Sequence, residues 1–103
     1  MSTKKKQRAS ERLEKKLGKL TFGDALRAIA EEDFSTLAEC SEKLEMKPPS
    51  FQGYLTGKRI PSPELAGKMA KALGHSPKVF IELALSDAVM RAGYQYKVKL
   101  ESA

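Results

Sequence analysis

Between residues 34 and 62 the apolar positions fall into two short helical stripes separated by a break. Leu37, Cys40 and Leu44 recur at intervals of three and four, the spacing that puts side chains on one helix face. Thr36 precedes them, with Glu39 three residues on, the reciprocal capping pattern of a helix start. Ser41 supplies a small side chain where a second helix can cross closely. The chain then breaks at Lys47-Pro48-Pro49. A residue before proline avoids the helical region, so Pro48 is expected outside the next helix and Pro49 as its first residue. Phe51, Tyr54 and Leu55 share one face of that helix, and Gly57 is placed to end it in the left-handed conformation.

The flanking chain continues the helical periodicity. Thr21 with Asp24 forms another capping pattern, and Phe22, Leu26 and Ile29, with Ala25 and Ala30, make the buried stripe behind it. Glu31-Glu32-Asp33 follows as an acidic break. Ser62 and Pro63 start a further helix whose Leu65, Met69 and Leu73 face the core, and Gly74 ends it. His75 falls in the next turn without partner ligands and is expected to be exposed. Ser76 and Pro77 open a last helix running to about Ala92. Its apolar residues cover more than half the circumference, leaving mainly Glu82, Ser86, Asp87 and Arg91 as polar. Such a helix needs two burial partners: its own domain, and either a second subunit or the N-terminal helix.

Both ends of the chain read differently. Ser10 can cap a short helix through Lys19, with Leu13, Leu17 and Leu20 at helical spacing. Residues 94–101 alternate apolar and polar, a strand signal, and no other stretch alternates. A lone strand is unstable, so the expected partner is the same strand of a second copy about a two-fold axis, with a frayed tail as the alternative.

A length of 103 residues, 41% apolar and 31% charged, permits one small soluble domain. No apolar run approaches the length of a membrane span or forms the core of a signal peptide, so a cytoplasmic location, without a membrane partner, is expected. One Cys and one His give no disulfide and no metal-ligand set, and no phosphate loop or triad spacing stands out. No cofactor, metal or enzymatic activity is expected. Residues 1–20 hold eight basic against two acidic side chains, which accounts for the whole net charge of +6; from Thr21 onward eleven of each cancel. The first nine residues are polar, basic and without periodicity. The excess charge suits either a basic arm on DNA phosphates or a solvated tail.

The run TLAECSEKLEM at residues 36–46, GKRIPS at 57–62 and PELAGKMAKALG at 63–74 together resemble the lambda repressor/Cro-like helix-turn-helix proteins, the XRE family. The resemblance covers about residues 21 to 88. It implies an all-α, five-helix lambda-repressor-like domain over residues 21–92, with residues 1–20 as a basic arm and extra helix and residues 93–103 as a dimerising strand. The implied function is a sequence-specific transcriptional regulator, a repressor binding double-stranded DNA as a homodimer with its recognition helix in the major groove. The tail is also similar to that of HigA-type antitoxins, which adds a small toxin protein to the implied partners.

The departures from the family pattern bear on readout. Leu37 stands where the family has Gln, Glu45 where it has a turn glycine, and Pro48, Pro49 and Gly53 where it has polar reading side chains. The base-reading candidates are therefore Lys47, Ser50, Gln52 and Thr56. The phosphate candidates are Thr36, Lys58 and Arg59, joined by Lys4, Lys5, Lys6 and Arg8 of the arm. The dimerisation candidates are Ile81, Leu85, Ala88, Tyr94, Tyr96, Val98 and Leu100. The competing reading is a protein-interaction module on the same fold with little specific readout of DNA.

Overall fold

A computed structural model describes residues 21–102. Among these the chain is all-helical: α1 (Phe22–Asp33), α2 (Leu37–Lys43), α3 (Pro48–Thr56), α4 (Pro63–Leu73) and α5 (Pro77–Arg91). The helix expected over residues 10–19 lies outside the described residues.

Local signals set the helix starts. The Thr21 hydroxyl accepts the Asp24 N–H at 3.1 Å while the Asp24 carboxylate accepts the Thr21 N–H at 3.5 Å, closing a capping box. Thr36, Ser62 and Ser76 each accept an N–H of the following turn at 3.2, 3.2 and 3.4 Å. Pro48 and Pro49 both fall inside the first turn of α3, so Pro48 belongs to the helix and not to the turn before it. The first turn has no intrahelical partner for its N–H groups, so two residues lacking them lose nothing there. Lys47, the residue before Pro48, is the one held extended, with ψ of 145°. Gly57 and Gly74 end α3 and α4 in the left-handed region, with φ of 80° and 76°.

The acidic trio at residues 31–33 does not break the chain: α1 runs through Asp33 and ends at Phe34. A side chain from a distant segment explains its last residue. His75 Nε2 lies 3.1 Å from Asp33 Oδ2, with the two side chains only 4% and 10% exposed. The imidazole also stacks on Phe80 at 6.3 Å. His75 is thus a buried clasp between the end of α1 and the turn into α5, not the exposed turn residue its sequence neighbours suggest.

The core is built by α1, α3, α4 and α5. Phe22 meets Phe80 edge to face at 5.5 Å, surrounded by Leu26, Ile29, Phe51, Met69 and Leu83, all buried. α4 and α5 pack most extensively on each other, and α1 crosses α3. The α2 stripe is narrower than its periodicity implies: Cys40 is fully buried and Ser41 nearly so, but Leu37 is 38% exposed. A helix of seven residues turns too little surface inward to cover all three apolar positions.

The C-terminal segment departs most from expectation. Residues 94–101 are not assigned to a strand, and among the described residues no ladder forms. The segment instead runs back along α5. The Val98 N–H donates to Ser86 Oγ at 2.8 Å and the Leu100 N–H to Glu82 Oε2 at 2.6 Å. Alternation on one side and a helical interval of four on the other bring the pairs into register. Two polar side chains of α5 therefore satisfy backbone groups that a sheet partner would have served.

Candidate nucleic-acid interface

In the α2–turn–α3 unit the turn holds one residue in a constrained backbone conformation. Glu45 has φ of 55°, the left-handed region in which a side chain is disfavoured. It stands just past α2. There the Met46 N–H donates to Ser41 O at 3.0 Å and the Ser41 hydroxyl donates to Met46 O at 2.7 Å. This double link between Ser41 and Met46 holds the turn shut, with Glu45 where glycine usually closes a helix. Ser41 is therefore both the small residue at the crossing and the side chain that locks the turn.

The turn aims α3 so that Phe51 and Leu55 are buried and Pro48, Pro49, Gln52 and Thr56 lie on the outer face. Lys47 is exposed at the helix start, and its side chain makes no capping bond. Ser50 is half-buried on the shoulder. Thr56 donates its hydroxyl back to Gln52 O at 3.0 Å, with Gly53 O at 3.3 Å, leaving that oxygen chiefly an acceptor. Of the base-reading candidates, Lys47 and Gln52 keep donors directed to solvent. Thr36 is engaged as the cap of α2, its hydroxyl 3.5 Å from Glu39 Oε1. The arm candidates Lys4, Lys5, Lys6 and Arg8 lie outside the described residues.

Immediately after α3 come the exposed cations Lys58 and Arg59. Their loop is braced from both sides. The Arg59 N–H donates to Gly53 O at 3.1 Å, tying the loop to α3. From α5, the Arg91 guanidinium donates to the carbonyl oxygens of Gly57 and Lys58. Arg91, Gly53 and Tyr54, whose ring lies 5.9 Å from the Arg59 guanidinium carbon, were not among the sequence candidates. The one signal for them was a glycine inside a helical pattern, which marks a close approach without naming the partner.

The same end of α5 meets α1. Asp87 accepts the Phe22 N–H at 2.9 Å, filling one of the vacant positions of the α1 first turn. Burial pushes the Asp87 carboxyl above its usual range, against the lowering effect of that hydrogen bond. Four polar residues of α5 thus act as fasteners: Glu82 and Ser86 for the tail, Asp87 for α1, Arg91 for the cationic loop.

The dimerisation candidates do not form one free face. Ile81 is packed on the core, and Leu85, Val98 and Leu100 are half-buried where the tail meets α5. Ala88, Tyr94 and Tyr96 are exposed, together with Met90, which is 54% exposed. The two tyrosine rings stack on each other at 6.4 Å. Among the described residues no helix is long and apolar enough to cross a membrane. Comparisons with protein-family models, with curated proteins and with solved structures return no match.

Proposed function

We propose that this protein is a DNA-binding transcriptional regulator of the lambda repressor/Cro-like helix-turn-helix type, with α3 as the recognition helix. The observation that carries this reading is the continuity of one outward surface. The exposed stripe of α3, carrying Gln52 and Thr56 with Lys47 at its start, runs directly into the braced cations Lys58 and Arg59. Donors on a convex helix next to fixed positive charge suit a duplex groove and its phosphate rim. The basic residues 1–20 add charge that increases affinity for any duplex. The protein binds as a homodimer through the exposed Ala88, Met90, Tyr94 and Tyr96 at the end of α5 and in the tail. A small toxin protein is a further partner on the HigA-type resemblance, and co-expression with a neighbouring toxin-sized reading frame tests it.

The direct test is selection of bound sequences from a random duplex pool, followed by salt-dependent titration. One enriched sequence, lost on Gln52→Ala, is the expected result; a protein that retains no duplex refutes the proposal. The second reading, a protein-interaction module, draws on Pro48 and Pro49, which fill the outer first turn of α3 with side chains that cannot hydrogen-bond bases. It becomes the better account if no sequence is enriched.

A further inference from the structure

We infer that Arg59 reads a base edge, that of a guanine, from a seat built into α3, and that Gly53 sets this preference by making the seat. The inference deepens the DNA-binding proposal and rests on it.

A cation that only neutralises phosphate needs charge and reach, and loses by being immobilised. Arg59 is immobilised all the same. Its N–H is fixed to Gly53 O at 3.1 Å, and its guanidinium carbon lies 5.9 Å from the centre of the Tyr54 ring, in cation–π range. The stem lies on the helix itself: a Cβ at Gly53 would come 2.9 Å from Arg59 Cδ and 3.0 Å from Cγ. A methyl group at Gly53 would push the stem out of this position. Behind the loop, Arg91 holds the carbonyl oxygens of Gly57 and Lys58, so the backbone that carries Arg59 is fixed to α5 as well.

This arrangement lays a planar fork of donors on α3 at Gly53 and Tyr54. Two parallel hydrogen bonds to guanine O6 and N7 demand a defined orientation, which a stacked and braced arginine supplies and a free lysine does not. It also accounts for the composition of α3. Pro48, Pro49 and Gly53 contribute no donor side chains, and the arginine laid across Gly53 takes over the reading that a helix-borne side chain performs elsewhere.

Selection from a random duplex pool by the full-length protein, Arg59→Lys and Gly53→Ala tests this, with the salt dependence of affinity measured for each. The full-length protein is expected to enrich a guanine at one fixed position. Arg59→Lys keeps the charge, and so the salt slope, but should lose that preference by about ten-fold or more. Gly53→Ala keeps the arginine and favours the helix, yet should lose the same preference, because its methyl group displaces the stem. If both variants weaken on all sequences and still enrich the original one, Arg59 is a phosphate contact and the inference is overturned. If the protein retains no duplex, the DNA-binding proposal falls and the inference with it; if it retains duplex but enriches no guanine at a fixed position, the inference alone is overturned.

Discussion

Gly23 is the position where a single methyl group should do the most damage. It is the second residue of α1 and is buried where α1 crosses α3. A Cβ there would lie 2.6 Å from Leu55 O, 2.9 Å from Tyr54 O and 3.2 Å from Leu55 C. All three are backbone atoms of the last turns of α3, so no rotamer change relieves the overlap. Helix α3 would have to move back by roughly half an ångström or more. Overpacking of this kind costs about 1–3 kcal/mol, and rigid backbone on the receiving side puts Gly23→Ala at the upper end. Alanine's better helix propensity returns up to about 1 kcal/mol. The net loss is about 2 kcal/mol, a fall in Tm of roughly 8–16 °C for a domain of this size. Gly67→Ala is the control. Its Cβ would meet Ile81 Cδ1 at 3.5 Å, an ordinary contact, so the propensity gain stands alone and Tm should rise by a few degrees. Thermal melts followed by far-ultraviolet circular dichroism compare the two. A Gly23→Ala protein as stable as its parent would refute the reasoning, and would mean that α1 and α3 are not held at this separation.

Three more outcomes are expected. Glu45→Gly should stabilise the protein by about 0.5–1 kcal/mol in denaturant titration, since relief of the left-handed strain at φ of 55° exceeds the entropy that glycine adds to the unfolded chain. Cys40 is fully buried, and its thiol is pushed up to about 11, first by burial and then by the charge of Asp33; a disulfide reagent at neutral pH should therefore label it only as fast as the domain opens. Asp87 has a folded pKa raised above 3.8, so the folded state holds the extra proton and stability is lost as pH rises from 3.8 through the folded value. Asp87→Asn keeps an oxygen for the Phe22 N–H without the buried charge. Its stability relative to the parent should improve as pH rises above 3.8 in paired melts, and a constant difference would show that Asp87 does not titrate in this way.

The starts of α1, α2, α4 and α5 were legible in the chain because capping operates at fixed offsets, whereas the uncapped start of α3 fell one residue earlier than expected. Thr21 with Asp24, Thr36 with Glu39, Ser62 and Ser76 each bond three residues on, and the left-handed glycines 57 and 74 sit where helical spacing stops. The inward faces of α1 and α4 followed from the same periodicity. The candidate interface was legible to the extent that it is one helix and the loop after it: Gln52, Thr56, Lys58 and Arg59 are all exposed there. What fixes those residues was not legible. His75 pairs with Asp33 across 42 positions, Asp87 with Phe22 across 65, and Arg91 with Lys58 across 33. No repeating offset announces such pairs, because they depend on how whole helices come to lie. The tail shows the same division. Alternation over residues 94–101 implied a strand, and none forms there, because alternation shows that a segment has two unlike sides but not what lies beside it. Which groups would take its N–H donors was decided by α5, whose Ser86 and Glu82 reach Val98 and Leu100 only once the chain has turned back at Gly93, with φ of 100°.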